Sequence, residues 1–340
     1  MSKGTTKYDL VSLGSCTMDM IFSVEDLMKM ELSGQHHADK KYIAIEYSSK
    51  LNVKTVKFFP GGSAANVACN LSNIGFHAAY IGGVGNDMNG NVCLENLKSH
   101  RVDVSCVKIF NNETTAISVI LLTPWGKDRS ILAYKGANNL ISKNDINKDM
   151  LLSTRCFLWT SLTSDSGIGA IKKCITLTKS VNGLIAGAPS LSIIKNRLED
   201  AISLMKESEI TSMNHEELEE LTGEKDIIKG MQKLFDWGLR IVNITLGKEG
   251  QWLSDGKVMI KTQPPKTFLE DTTGAGDATM SGLIYGILHQ KSLQETSKIA
   301  AALSAMEIEA TGVRVGTPLK YSELEYFMKA HEIIQETVDF

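Results

Sequence analysis

Apolar residues along this chain fall into two recurring patterns: short unbroken runs, and longer stretches that repeat near the helical period. Tyr8 to Leu13 is the first short run, β-like, and it stops at Gly14-Ser15-Cys16-Thr17-Met18-Asp19. Ala78 to Ile81, Ala116 to Leu122, Phe157 onward, Gly183 to Ala186 and Leu239 to Thr245 read as further strands. Helical patterns lie near Ile168 to Thr178, Ile193 to Met205 and Leu293 to Glu309, and a closing surface helix is expected over Tyr321 to Thr337. Strands alternating with helices of this length predict right-handed βαβ units and a parallel sheet.

Residues 20–60 break that alternation. Tyr42 to Tyr47 and Val53 to Phe58 read as two strands around Ser48 to Asn52, a small β lid projecting from the main sheet. His36-His37 sits in a polar stretch and reads as solvated loop rather than as metal ligands. Pro60-Gly61-Gly62-Ser63-Ala64-Ala65-Asn66 then opens a helix that runs to Ile74, with Gly75 suited to a left-handed C-terminal cap. Gly126-Lys127-Asp128-Arg129 is turn-like and precedes a strand at Ser130 to Tyr134.

Gly83-Val84-Gly85 begins a dinucleotide-binding G-x-G-x-x-G, but Met88 takes the third glycine position. No acidic residue follows a subsequent strand at the expected distance of about 20 residues, so that reading fails. Asp87 is expected instead as the N-cap of a helix through Lys98.

Composition changes this picture little. The chain has 340 residues, 43% hydrophobic and 22% charged, which is ordinary for a globular protein with a large core. A net charge of −3 without a basic block argues against nucleic acid and anionic membranes as partners. The six cysteines form no C-x-x-C pair, which fits reduced thiols rather than zinc or a disulfide framework. Met1 to Lys7 is polar, and no apolar run approaches bilayer length, so a soluble, cytoplasmic protein is expected.

The chemistry concentrates in Glu270-Asp271-Thr272-Thr273-Gly274-Ala275-Gly276-Asp277, which opens a helix running through Leu288. Without bulky Cβ substituents, backbone N–H groups from Gly274 to Asp277 can approach a ligand closely. The free N–H groups of a first helical turn make an anion site suited to a phosphoryl group in transfer. Asp277 lies in that turn, where the helix dipole is expected to favour its ionised form and leave a weak base. A loose phosphoryl transition state tolerates such a base.

This run resembles the signature of the ribokinase, or PfkB, family of sugar and nucleoside kinases. The resemblance extends from about Asp9 to Tyr326. It implies a ribokinase-like α/β fold, a three-layer α/β/α sandwich with a mostly parallel sheet and a small β lid. The chain would be one domain over residues 1–340, with lid segments roughly at 20–60 and 107–135. By the same resemblance Asp277 is the catalytic base, and the amides of Gly274, Ala275 and Gly276 form the anion hole.

Further roles follow residue by residue. Asp19, otherwise a turn or cap residue, is the place of a substrate-hydroxyl aspartate, and a carboxylate can accept two sugar hydroxyls at once. Gly62 and Asn66 belong to the Gly-Gly-x-x-x-Asn element that lines the acceptor pocket. Gly85-Asn86-Asp87-Met88-Asn89-Gly90 matches the Gly-x-Asp-x-x-Gly of the family, and Gly136 to Leu140 matches its return from the lid. Thr245, Gly247 and Gly250 stand in the turn that borders the nucleotide, and Gly312 in its last nucleotide-side loop. Asn214 and Glu217 form a capping box by spacing alone, and in the family the same Asn-x-x-Glu supports magnesium and phosphate through water; the two readings are compatible. A monovalent cation, K+, is implied between the 310–318 loop and Asp271 with Thr273.

Two positions depart from the family. Ala188 stands before Pro189 where many relatives have Asp or Asn, and Thr160-Ser161-Leu162-Thr163 offers hydroxyls where some sugar-specific relatives have a glutamate. The expected activity is transfer of the γ-phosphoryl group of Mg-ATP to a hydroxymethyl group of a small sugar. A nucleoside kinase is the alternative, since the insert between Asp19 and Gly61 is long. A non-catalytic nucleotide or sugar sensor is a further one, which Ala188 keeps open. An exposed lid edge also invites pairing into a homodimer.

Overall fold

The computed structural model describes residues 7–25, 27–34, 37–123 and 129–340. Among the described residues sixteen strands follow in chain order. They begin with β1 (Tyr8–Leu13), β2 (Thr17–Val24), β3 (Met28–Gly34), β4 (His37–Ala44), β5 (Val53–Gly61), β6 (Ala78–Gly85), β7 (Val107–Phe110) and β8 (Ala116–Leu122). They continue with β9 (Arg129–Tyr134), β10 (Thr154–Thr160), β11 (Leu184–Ala188), β12 (Ile210–Asn214), β13 (Ile241–Thr245), β14 (Gln251–Ser254), β15 (Val258–Thr262) and β16 (Gln335–Asp339).

The main sheet has the order β16-β15-β14-β13-β12-β11-β10-β1-β6-β7. It is parallel from β7 to β13 and antiparallel from β13 to β16. Successive side chains of a strand point to opposite faces. Val11 and Leu13 of β1, with Phe157 and Trp159 of β10, enter one hydrophobic core. Leu10, Cys156 and Leu158 of the same strands enter a second core on the other face. Both faces are covered by helices, which explains why these strands read as unbroken apolar runs and why the sandwich has three layers.

The helix Ala275–Leu288 packs against Leu293–Glu307 at a distance only glycine permits. A Cβ at Gly282 would stand 2.4 Å from the Ala300 Cα. Among the described residues no helix is long and apolar enough to cross a membrane.

A four-stranded sheet, β5-β2-β8-β9, lies beside the C-terminal end of β1, and β3 pairs with β4 as a separate ribbon. Several expectations are corrected here. Asp19 lies inside β2 rather than in a turn. Residues 42–47 and 53–58 do not pair with each other: β4 ends at Ala44 and pairs with β3, while β5 pairs with β2. Residues 107–110 belong to the edge of the main sheet, not to the smaller one. The helical pattern of 193–205 is two helices, Leu191–Asn196 and Leu198–Met205, broken at Arg197. The closing helix stops at Ala330, and Gln335–Asp339 returns as β16 on the edge of the main sheet. The turn expected at 126–128 and His36 lie outside the described residues, and His37 begins β4.

Other expectations hold. Asp87 caps the helix Met88–Ser99 through the Gly90 N–H at 2.7 Å, and also accepts from the Thr115 hydroxyl at 2.7 Å. Gly75 has φ +106 just past the helix Ser63–Asn73.

Candidate active site

The C-terminal ends of β1, β10 and β11 open onto a cavity of about 330 Å³ that also reaches Gly274 and Asp277. Open parallel sheets place their ligands at such strand ends. Asp19, Gly62, Asn66 and Thr273 line this cavity, as do Ser15, Thr17, Ser118, Thr160, Ser161 and Ser190. A second cleft of about 730 Å³ is lined by Thr245, Gly247, Gly250, Thr272, Ala275 and Gly276. Thr273, Gly274 and Asp277 line the first and Thr272, Ala275 and Gly276 the second, so one turn of chain borders both.

Local backbone geometry explains the glycines of this turn. Gly274 is the N-cap of its helix at φ 86, a left-handed conformation that L side chains rarely adopt. A Cβ there would meet Glu307 Oε1 at 2.2 Å. At Gly276 a Cβ would meet nothing within 4 Å, so this position faces open space. On the opposite wall Gly62 has φ 100 and stands too close to the Ser15 backbone for any side chain.

Asp277 is held by a relay from the far end of the chain. Asn66 Nδ2 donates to Asp277 Oδ2 at 2.6 Å, and Arg314 Nε donates to Asn66 Oδ1 at 2.7 Å. Arg314 is buried, has φ 66 and also donates to Asn96 Oδ1. Burial pushes the Asp277 carboxyl above the ordinary aspartate range, against hydrogen bonds from Asn66 and Ser63 and the charge of Arg314. The expectation of a carboxyl held low is thereby corrected: burial is the largest influence on Asp277 and raises it.

Glu307 underlies the same turn. Its Oε1 accepts from the Arg314 N–H at 2.9 Å, and burial raises its carboxyl to about 7. Neither Arg314 nor Glu307 carries a role in the sequence reading. Arg314 meets Asn66 and Asn96 across 248 and 218 positions, and spacing offers no sign of those contacts.

The remaining candidates divide. Asp19 is buried against Gly61, where a Cβ would meet Asp19 Oδ2 at 2.3 Å. Gly312 is absent from the walls of the larger cleft; its N–H donates to Asp271 Oδ2 at 3.1 Å and its φ is 89. Asp271 Oδ1 accepts from the Thr273 N–H at 2.9 Å and hydroxyl at 2.6 Å. Asp271 thereby ties the glycine run to the 311–312 loop. Asn214 and Glu217 line neither hollow but close a complete capping box, with bonds of 2.8 and 2.9 Å. Burial lifts Glu217 to about 7, with the negative charges of Glu216 and Asp277 adding to the rise. Ala188 lines the smaller cavity, and next to it the Ser190 N–H and hydroxyl both reach Ser161 Oγ at 2.8 Å.

Residues 7–320 match the family model described as pfkB family carbohydrate kinase. An ATP-dependent 6-phosphofructokinase of Thermoanaerobacterium thermosaccharolyticum is 25% identical over 319 residues, 92% of this chain and 91% of the relative. Among solved structures, adenosine kinase of Sinorhizobium meliloti superposes with a TM-score of 0.80 at 23% identity, covering 94% of this chain and 99% of the other. Arabidopsis thaliana ribokinase, solved with ribose and ATP, does so at 0.78 and 23%, covering 95% and 99%. Likeness at these identities shows a shared fold.

Proposed function

From membership of the pfkB family of carbohydrate kinases, to which this chain belongs, we propose an ATP-dependent transfer of the γ-phosphoryl group of Mg-ATP to a hydroxymethyl group of a small sugar. The observation that carries this reading is the single helical turn, Gly274 to Asp277, shared by two hollows. A nucleotide in the larger cleft and an acceptor in the smaller one would meet over that turn. The acceptor hydroxyl attacks the γ-phosphorus, the bond to the ADP oxygen breaks, and Asp277 takes the hydroxyl proton. The N–H groups of Gly274, Ala275 and Gly276 stabilise charge on the transferring oxygens. Asp19 and Asn66 orient the acceptor, whose hydroxyls match the serine and threonine lining of the cavity. That lining favours a polyol over a flat base.

Thr245, Gly247 and Gly250 would border the nucleotide, with Gly312 supporting the loop beside it. Among the described residues no group of three or more His, Cys, Asp or Glu side chains could hold a metal alone. A magnesium ion bound mainly to phosphates and water suits such a site, with Asn214 and Glu217 supporting it. When bound it would neutralise phosphate charge. A monovalent cation, K+, would sit by Asp271 and Thr273. The smaller sheet exposes Val56, Phe58, Ile131 and Leu132, which supports its acting as a lid and as a homodimer contact.

ADP release from Mg-ATP across a panel of sugars and nucleosides, with Asp277→Ala alongside, tests the reading. Turnover with a sugar that is lost in the variant is expected. Turnover with nucleosides alone would replace sugar by nucleoside. Nucleotide binding with no turnover across the panel would favour a sensor.

A further inference from the structure

Only three charged side chains line the smaller cavity among the described residues: Asp19, Asp277 and Lys135. The proposed chemistry uses both carboxylates and leaves the lysine without a task. Lys135 follows β9 directly, where the chain turns through Gly136–Leu140 back to the main sheet. That turn is fixed: Asn138 Oδ1 accepts from the Cys16 N–H and its Nδ2 donates to the Cys16 carbonyl, both at 3.1 Å. Lys135 therefore projects from a position braced against the start of β2, not from a loose loop.

Its electrostatic surroundings are unusual for a lysine. The side chain is half-buried, and Nζ donates to Ser192 Oγ at 3.4 Å. Burial alone pushes the ammonium below the ordinary lysine range, and among the described residues no carboxylate offsets it. The neighbouring walls, Ser161, Ala188 and Ser190, are uncharged. A partly desolvated cation without a counter-ion costs stability, and an arriving anion relieves that cost. Lysine is well suited to this task, because its ammonium binds carboxylate or phosphate as a point charge.

We propose that Lys135 is a specificity residue that binds an anionic substituent on the acceptor, a carboxylate or a phosphate, so that the acceptor is an acidic or already phosphorylated small sugar. The inference rests on the reading of this cavity as the acceptor site. A contact to ATP fits less well, because Lys135 does not line the larger cleft.

The test uses the full chain with sugar monophosphates, aldonates and their neutral parent sugars. Calorimetry gives binding, and ADP release from Mg-ATP gives kcat and KM, for the wild type, Lys135→Ala and Lys135→Arg. The wild type is expected to bind one anionic sugar more tightly than its neutral parent. In Lys135→Ala that preference should fall about 10- to 100-fold, the value of one charge-assisted hydrogen bond, with the loss in KM. Lys135→Arg should recover part of it, which separates charge recognition from misfolding. The aldonate and monophosphate arms identify which anion is read. Equal wild-type binding of anionic and neutral partners, or an unchanged preference in Lys135→Ala, would overturn the assignment while turnover still upheld the kinase. An equal fall in kcat for every acceptor would also overturn it, placing Lys135 at the transferring phosphoryl group. Anion binding through Lys135 without any phosphoryl transfer would sink the kinase reading and leave the anion site standing.

Discussion

Asn66 Nδ2 donates to Asp277 Oδ2 at 2.6 Å. The orientation of that amide is not free, because Asn66 Oδ1 is already occupied by Arg314 Nε. An aspartate held this way is fixed at the cavity wall while burial keeps its proton affinity high.

Removing the proposed base is the most direct prediction. Asp277→Ala should lower kcat by about 10²- to 10⁴-fold, the usual contribution of a positioned base. Nucleotide affinity, measured by calorimetry, should stay near that of the wild type. Burial raises the Asp277 carboxyl, and a base must be ionised to act, so kcat should fall as pH drops through this raised value. A wild-type acid limb in the ordinary aspartate range would count against the assignment.

Arg314 offers a test that a purely structural residue would fail. Its charge lowers the proton affinity of Asp277, so Arg314→Met should move the acid limb of kcat to higher pH. The same change leaves Asn66 Oδ1 and Asn96 Oδ1 without their donor, at about 1–3 kcal/mol for the buried Asn66 acceptor and less for the half-buried Asn96. Urea unfolding reads the second effect and a pH–rate profile the first. Loss of stability with an unmoved limb would reduce Arg314 to a structural part.

Gly274 and Gly276 should answer differently to alanine. At Gly274 a Cβ meets Glu307 Oε1 and the backbone has φ 86, so Gly274→Ala should lower both Tm and activity. At Gly276 a Cβ meets nothing, so Gly276→Ala should fold with an unchanged Tm. Its kcat/KM for the nucleotide should still drop, because the methyl group occupies the space the phosphates need. Full activity in Gly276→Ala would argue against an anion hole at this turn.

These examples show what the sequence could and could not convey. A backbone approached by a ligand must be nearly bare, so Gly61-Gly62 and Gly274-Ala275-Gly276 were legible as a pattern. Arg314 was not, because its contact with Asn66 spans 248 positions and exists only once the main sheet has formed. The strand β16 was missed for a related reason. Gln335–Asp339 is a half-exposed edge strand with polar residues on both sides, and only pairing with β15 makes it a strand. By spacing alone Asp19 reads as a turn or cap residue because Gly14-Ser15 signals a turn, although the chain resumes as β2 at Thr17.

The capping box at Asn214 and Glu217 separates structural from metal support. Gln at the third helical position still closes the box, so Glu217→Gln should retain the Tm of the wild type. Removing the charge should raise the magnesium concentration needed for half-maximal turnover, read by titrating Mg2+ at saturating ATP. An unchanged magnesium requirement would leave Glu217 as a cap alone.

Glu307 makes a prediction about stability rather than rate. It is 1% exposed, its Oε2 has no hydrogen-bond partner among the described residues, and Asp277 and Asp271 lie on the side that raises it while Arg314 opposes them. Its carboxyl rises from 4.5 to about 7 on folding, so between those values the native state holds a proton that the unfolded chain has lost. This contribution to stability is complete below pH 4.5, declines as pH rises, and is gone above about 7. Glu307→Gln keeps the shape and cannot ionise. The difference in unfolding free energy between variant and wild type should therefore grow in the variant's favour from pH 5 to pH 8, by on the order of 3 kcal/mol. Taking the difference cancels the carboxylates that do not interact with Glu307. A difference that stays flat with pH would mean that Glu307 is ionised throughout, with Arg314 rather than burial setting its charge.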